Sequence, residues 1–307
     1  MPQGSVLGPI LFIIFNDDID LCVALIKAFA KFADDIKNGN LIMSPNDAEN
    51  LQACIDSFFE WAKKWEMVFN IPKCKVLHLG RTNPGFVYKM NGQPLQVVES
   101  ETDIGVLVSQ NLKPSDHCVK IAQVARQVLG QVLRSFHFRD KVIFVKLYVT
   151  YVRPHLEFAS PTWSPWLRKD IDVIENVQRK FVRNVSGLRG DSYEAKLEEL
   201  GLLTLEDRRK YLDLVEVFKI VTGKYGTHHS HWFTLVGDGE MRATRATQCP
   251  LNIIPQRHNL DIRSGFFSNR VIKPWNTLPV DIKLARTLPV FKSLLKNYMG
   301  SRFQDEQ

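Results

Sequence analysis

The chain has 307 residues, of which 45% are hydrophobic and 24% charged, and this is enough apolar sequence for a sizeable core in two domains or one large one. Its 40 Lys and Arg residues against 33 Asp and Glu give a formal net charge of +7, which suits a polyanionic partner without identifying one. Five cysteines at irregular spacing, with no CxxC pair, argue against a disulfide framework and a structural zinc site. We therefore expect a reduced, intracellular protein.

The first predicted element is an apolar helix over residues 6–15, with Ser5 as a plausible N-cap and an end at Asn16. The apolar run is about half as long as the roughly 20 residues of a membrane-spanning helix, and no signal peptide is evident. We expect a soluble chain without a membrane partner. Because the run has no polar face, we also expect this helix to be buried, against neighbours that lie outside this chain.

The next predicted element is a β-hairpin between residues 26 and 43, with Asp34 and Asp35 at its tip. Adjacent carboxylates repel each other unless a cation neutralises them. Mg²⁺ prefers carboxylate oxygens, and two-metal phosphoryl transfer uses Asp side chains at the ends of strands. The pair therefore predicts a metal site, although spacing alone leaves a solvated turn as the commoner explanation.

A long amphipathic helix is predicted after Ser44-Pro45, because Leu51, Ile55, Phe58, Ala62 and Trp65 recur at steps of three and four. Two short strands are predicted beyond it, at residues 75–79 and 86–90. Turns are expected at Gly80 and at Asn91-Gly92, and an apolar stretch at 104–108 closes an α+β region. Longer helical segments are then predicted at 115–135, 140–151, 169–186 and 204–222, before a loop-rich region with short helices at 223–307.

Several polar and aromatic groups of the helical part have two explanations each. Basic residues at helical spacing predict either contacts with the phosphates of a nucleic acid or a solvated helix face: Arg179, Lys180, Arg183, Arg208, Arg209 and Lys210, with Arg245 further on. A metal site is the less favoured interpretation of His228, His229 and His231, because they lie in a polar loop. The indoles of Trp163, Trp166 and Trp275 are expected in the core rather than stacked on bases.

The order of features resembles the reverse transcriptases of non-LTR retrotransposons, and jockey-like long interspersed elements most closely. The resemblance begins with Pro2-Gln3-Gly4-Ser5 before an apolar helix and Phe32-Ala33-Asp34-Asp35 about 30 residues later. It covers nearly all of the chain through further segments: Trp61 to Asn70, Lys73 to Gly80, Asp103 to Val106, Val152 to Glu157, Trp163 to Pro165, Asp207 to Arg209 and Trp275 to Pro279.

The resemblance implies a role for each matching residue. Asp34 corresponds to the metal-binding aspartate of the hairpin, with Asp35 in a lesser part and Mg²⁺ as the cofactor. Gln3 and Gly4 match the loop near the nascent base pair, where a side chain on the glycine would obstruct approach. Lys73 corresponds to a lysine that protonates the leaving pyrophosphate, with an ordinary surface lysine as an equal alternative. The segment that resembles the grip on the primer end consists of Leu77, His78, Leu79 and Gly80. A buried structural strand would have the same sequence pattern.

The implied fold is α+β, with a partial polymerase palm over 1–110, a helical thumb-like region over 111–222 and a C-terminal mixed region of unknown role over 223–307. The implied function is RNA-directed DNA polymerase, a nucleotidyl transfer that extends a DNA primer on an RNA template. A working element would act in the nucleus. The sequence does not indicate the oligomeric state.

The chain departs from the family in one respect that bears on activity. The family's other metal-binding aspartate lies on a strand before the Pro-Gln-Gly loop, together with the fingers, and two-metal catalysis needs carboxylates from separate strands. Asp17, Asp18 and Asp20 follow the loop and are poor substitutes. We therefore expect a truncated polymerase that is inactive by itself, with a non-catalytic nucleic-acid-binding remnant as the alternative.

Overall fold

The structure is a computed structural model that describes residues 4, 6–23, 26–80, 82–190, 192–238, 249–258 and 260–300. The chain divides into two compact units. The first comprises Met1–Glu101 with Ser109–Leu112, and the second comprises Thr102–Val108 with Lys113–Gln307. Both helices and short strands are present, which confirms a mixed α+β chain.

Helix α1 of the first unit spans Leu7–Phe15, as predicted, but the expectation that it is buried is wrong. Gly8 is its one buried residue, and Leu7, Ile13 and Ile14 are about two thirds exposed, at 65%, 68% and 67%. Only its C-terminal end is anchored by aromatic packing, because the Phe15 ring lies 5.3 Å from that of Trp65 in an edge-on contact. Ser5 lies outside the described residues, and α1 is preceded by Val6, whose side chain forms no capping bond.

The predicted hairpin is present as strands β1, Ala28–Phe32, and β2, Asp35–Gly39, paired antiparallel. Phe32 pairs with Asp35, so the loop between the strands has only two residues, Ala33 and Asp34. Ala33 has a φ of +53°, the positive value that tight hairpin turns require at their first loop position. The turn geometry therefore holds the two aspartates at the tip.

Helix α2, Pro45–Lys64, forms the centre of the first unit. A capping box starts it, in which an Asp47 carboxylate oxygen accepts from the Ser44 backbone N–H at 2.8 Å. The predicted apolar face is confirmed for Ile55, Phe58 and Ala62, which are buried. Trp65, at the end of that face, is 39% exposed.

The two further predicted strands are present but shorter than predicted, because a partner pairs with only part of each. Strand β3, Lys75–Leu77, pairs in parallel with β6, Gln96–Val98. The predicted Asn91-Gly92 turn is confirmed between β4, Lys89–Met90, and β5, Gln93–Pro94, with positive φ at both turn residues (+51° and +73°). Strands β7, Ser100–Asp103, and β8, Val106–Ser109, form a further hairpin.

The first core of the second unit is made of the long predicted helices. Helix α3 spans Ser115–Ser135, as predicted, and α7 spans Arg168–Arg183. The segment predicted at 140–151 continues further than expected, as α4, Lys141–Leu147, a π-helical turn, Tyr148–Val152, and α5, Arg153–Glu157. Pro154 has no N–H to donate, and the wider turn ahead of it accommodates the missing bond.

The second core joins α9 to the C-terminal region. Helix α9 spans Leu205–Val221, and the Phe218 ring stacks on that of Phe291 at 4.2 Å. The smaller helices of this unit are α6, Ser160–Trp163, α8, Tyr193–Glu199, α10, Asp261–Ser264, α11, Phe267–Arg270, α12, Ile272–Asn276, α13, Val280–Lys283, and α14, Leu288–Met299. Helix α9, which ends next to residue 222, contributes to both cores. The domain boundary expected at residue 222 therefore stays a prediction.

In the described part of the chain, no helix combines the length and the apolar character needed to cross a bilayer.

Candidate active site

The acidic tip is held by packing of the hairpin on α2. Phe29 of β1 stacks on Phe58 of α2 with ring centroids 6.1 Å apart, and Ile36 of β2 packs in the same cluster. Asp34 occupies the loop, Asp35 is the first residue of β2, and both are exposed. The arrangement places two adjacent carboxylates in solvent at the end of a short, supported ribbon.

Two of the other acidic residues near the start of the chain, Asp18 and Asp20, have structural partners. Asp18 accepts hydrogen bonds from two indole N–H groups, that of Trp61 at 2.7 Å and that of Trp65 at 3.2 Å. Asp20 forms an ion pair with Lys31 of β1 at 2.8 Å. Carboxylates engaged in this way hold the hairpin and α2 in place.

The two carboxylates at the hairpin tip suit a Mg²⁺ ion that is bound together with a phosphate-containing substrate. Magnesium usually keeps several waters and takes one or two carboxylates together with substrate phosphates, so two exposed aspartates are a suitable protein contribution. Within the described residues, no three or more His, Cys, Asp or Glu side chains cluster closely enough to hold an ion by themselves. The donor set at the tip is therefore compatible with a metal shared with a phosphate ligand.

The Lys73–Gly80 segment lies elsewhere on the same unit. Lys73 is exposed at the end of a 3₁₀ turn, Ile71–Lys73, and Leu77 ends β3 opposite Val98. Gly80 has a φ of +89°, and its N–H donates to the Gln110 carbonyl at 3.2 Å. Its backbone position is one that favours glycine for conformational reasons alone.

Helix α2 supports both predicted groups through different side chains. The tip packs on the cluster that contains Phe58, and the segment after Lys73 packs on the cluster that contains Ile55. Phe69 contacts both clusters. Of the predicted nucleotide-binding loop, Gln3 lies outside the described residues, and Gly4 is exposed with a φ of +87°.

Two of the basic residues considered for nucleic-acid contact are structural instead. Arg208 forms a two-fold hydrogen-bonded pair with Glu157, with both distances 2.9 Å. Arg209 is 2% exposed, and burial lowers the pKa of its guanidinium. Three other members of the predicted basic group are exposed, Lys180, Arg183 and Lys210, and Lys210 forms ion pairs with Glu206 and Asp207. Arg245 lies outside the described residues.

The tryptophan prediction is confirmed for Trp163 and Trp275, and one of the three histidines has an acidic partner. His229 bonds to Asp238 at 2.9 Å within its own loop. Trp163 and Trp275 are buried, at 5% and 0% exposure. Trp166 is half-buried and lies against Gly265.

Two exposed rings were not predicted from the sequence, those of Tyr151 in the π turn and of Phe158 just after α5. The available signal was that both positions fall outside the four-residue recurrence of Phe144, Tyr148, Val152 and Leu156, which are all fully buried.

Comparison with known proteins identifies the class. Residues 1–132 match the family described as reverse transcriptase (RNA-dependent DNA polymerase). This segment contains the acidic hairpin, α2 and the Lys73–Gly80 segment. This segment, 132 of the 307 residues, therefore resembles the reverse transcriptase family.

The relatives identify the branch. The chain is 28% identical over 232 residues to the RNA-directed DNA polymerase from mobile element jockey of Drosophila funebris, and 24% identical over 237 residues to that of Drosophila melanogaster. These matches cover 69% and 71% of the chain. A probable RNA-directed DNA polymerase from the transposon X-element of Drosophila melanogaster is 26% identical over 196 residues, 61% of the chain. The chain is therefore similar to the reverse transcriptases of jockey-like non-LTR retrotransposons.

The chain spans about a quarter of the length of these relatives, at 25%, 26% and 22% of each. No solved structure matches it.

Proposed function

We propose that the chain acts in RNA-directed DNA synthesis, in which a DNA primer is extended on an RNA template. The observation that carries the proposal is the position of Asp34 and Asp35, at the tip of a two-residue hairpin within the segment that matches the reverse transcriptase family. Phosphoryl transfer depends on carboxylates held where metal ions can bridge them to phosphates, and an exposed, well-supported tip meets that need.

Asp34 is the principal metal ligand of the proposal, and Asp35 has a lesser part. A bound Mg²⁺ would neutralise charge on the transferred phosphates and orient them. Lys73 donates a proton to the leaving pyrophosphate, and its exposure on a 3₁₀ turn supports a role toward a bound ligand. Gln3 and Gly4 lie beside the nascent base pair, and Leu77 to Gly80 contact the primer end.

The two compact units correspond in this proposal to polymerase subdomains. The first unit contains the part of the palm that carries the metal ligands, and the α3–α9 helices of the second unit form a thumb that contacts the template–primer duplex. The exposed Lys180 and Arg183 of α7 suit contacts with phosphates. The same observation favours a second candidate function, nucleic-acid binding without catalysis. For either function we propose that the protein acts in the nucleus.

Primer extension on an RNA template with Mg²⁺ tests the proposal. The variant is Asp34→Ala, Asp35→Ala, and the matched control is Glu49→Ala, Glu60→Ala, which removes two exposed carboxylates from α2. The sequence predicts a chain that is inactive by itself, whereas the proposal requires Mg²⁺-dependent incorporation by the wild type. Incorporation should fall more than about 100-fold in the Asp34→Ala, Asp35→Ala variant and persist in the control. Loss of a residue that only supports a metal ligand already costs up to about 100-fold, so loss of the ligands themselves should cost more.

The same reaction decides between the two candidates. No incorporation by the wild type, together with duplex binding that weakens as salt rises, would contradict catalysis by this chain and favour the binding function. Equal incorporation by the variant and the control would remove Asp34 and Asp35 from the site.

A further inference from the structure

The helix from Lys141 to Glu157 and the following Phe158 present one exposed face, which we call the outer face. Its members share an outward position on α4, the π turn and α5: Val142, Ile143, Lys146, Thr150, Tyr151, Pro154, His155 and Phe158. Four of them are large apolar or aromatic side chains with more than half of their surface exposed, Val142 at 63%, Ile143 at 53%, Tyr151 at 56% and Phe158 at 58%.

The π turn is the reason that this face stays continuous. The buried side recurs at every fourth residue, at Phe144, Tyr148, Val152 and Leu156, all with 0% exposure. An α-helix has 3.6 residues per turn, so a strict four-residue recurrence would drift around it. The wider turn at Tyr148–Val152 offsets the drift, which keeps one side in the core and the other in solvent over the whole length.

The outer face carries positive charge and no carboxylate. The two acidic residues of this stretch lie beside the outer face, and both have partners. Asp140 accepts from the Val142 and Ile143 backbone N–H groups at 2.9 and 3.2 Å, and Glu157 binds Arg208. Lys146 is exposed on the face, as is His155. Charge and apolar area therefore combine on a surface without acidic groups.

Further cations lie beside the start of this helix. Arg139, which precedes it, donates to the Asn184 side chain at 2.8 Å and so adjoins the end of α7. That end of α7 carries the exposed Lys180 and Arg183. The nearby Glu199 is paired with Lys141.

We propose that the outer face binds an unpaired nucleic-acid strand, whose bases stack on Tyr151 and Phe158 while its phosphates lie near Lys146. His155 falls between these two rings in sequence, at steps of four and three that place all three on one side of a helix. Aromatic rings combined with a basic surface are the means by which proteins hold single strands without sequence preference, because every base has a face that can stack. In a duplex those faces are covered, so the surface selects unpaired strand.

This inference rests on the proposed function for its class of partner, but it concerns a different surface from the acidic tip. The test is the affinity of the full chain for a fluorescently labelled, unstructured RNA of about 20 nucleotides, measured by anisotropy at several salt concentrations. The variant is Tyr151→Ala, Phe158→Ala. The matched control is Leu284→Ala, Tyr298→Ala, which removes two side chains of comparable exposure, 56% and 51%, from another part of the same unit.

We expect the variant to bind the RNA about 30-fold more weakly or worse, because each stacked base contributes at least about 1 kcal/mol, and the control to bind like the wild type. Lys146→Glu should weaken binding and flatten its salt dependence. Photo-crosslinking with 4-thiouridine RNA should label Tyr151, His155 or Phe158. Circular dichroism establishes that each variant is folded.

Three results would overturn the inference: no RNA binding by the wild type, equal binding by variant and control, or crosslinks confined to the first unit. Self-association of the wild type that the Tyr151→Ala, Phe158→Ala variant abolishes would assign the face to a second copy of the chain and overturn it as well. The proposed function fails separately, because it is tested by nucleotide incorporation and the outer face is tested by RNA affinity.

Discussion

Single residues show how burial changes the chemistry of a side chain. His117 of α3 is 1% exposed, its Nδ1 accepts a hydrogen bond from the Leu107 N–H at 3.1 Å, and its ring meets that of Trp163 edge-on at 4.9 Å. Burial, with a smaller effect from Lys120, lowers the pKa of His117 from 6.5 to about 4. Accepting at Nδ1 requires the neutral ring, so both observations describe an uncharged histidine.

We predict that His117 makes stability depend on pH in the mildly acidic range. The unfolded chain takes up a proton at this residue below about pH 6.5, whereas the folded chain does so only near pH 4. Its contribution is therefore complete above pH 6.5 and declines as the pH falls to 4, by about 3 kcal/mol in total. Urea unfolding at pH 7, 5.5 and 4 measures this loss.

His117→Asn serves as the matched variant, because the amide can accept from Leu107 but does not titrate. Its free energy of unfolding should change less between pH 7 and 4 than that of the wild type. The same slope in both proteins would mean that other groups produce the pH dependence.

At the scale of elements, local patterns predicted the helices well and the strands less well. Helices α3, α7 and α9 have bounds within a few residues of those predicted, because a 3.6-residue recurrence over four or more turns is a strong local signal. The strands β3 and β4 are shorter than predicted, since a strand extends only as far as a partner pairs with it. Turn chemistry was predictable at Asn91-Gly92, where both residues have positive φ.

Two glycines give a prediction of opposite sign for the same substitution. Gly92→Ala should destabilise the chain by about 1 kcal/mol, because its φ of +73° strains a residue with a Cβ. Gly130→Ala should stabilise it by about 0.5–1 kcal/mol, because Gly130 lies within α3 and an added Cβ would meet only the mobile end of Arg134 at 3.6 Å. Denaturant unfolding of both variants checks the signs, and destabilisation by both would contradict the helical argument.

At the scale of the whole chain, α9 and the C-terminal region share a core, which gives structural meaning to the Trp275–Pro279 segment. Trp275 is fully buried, and its indole N–H donates to the Leu251 carbonyl at 2.8 Å. Asn276 exchanges two hydrogen bonds with the Ile253 backbone, at 2.9 and 2.8 Å. The segment therefore joins a loop, α12 and α9 into one packed body.

We predict that Trp275→Ala costs about 3–5 kcal/mol of the stability of the second unit, because it leaves a large cavity and an unpaired carbonyl. Trp232→Ala is the control of the same residue type, and it should cost about 1 kcal/mol or less, since Trp232 is 50% exposed. Unfolding followed by circular dichroism measures both. Similar losses for the two variants would show that the C-terminal core contributes little.

The sequence by itself determined the order of elements, the acidic hairpin tip and the tight turns, because helix periodicity and positive φ depend on residues close together in the chain. It also carries the resemblance to reverse transcriptases, through segments spread over its length. Tertiary structure decided which side chains are available. It buried Arg209 and paired Arg208 with Glu157, it left α1 exposed, and it turned Tyr151 and Phe158 outward on a face that a π turn keeps straight. Exposure depends on contacts between residues far apart in sequence, so local patterns supply it only in part.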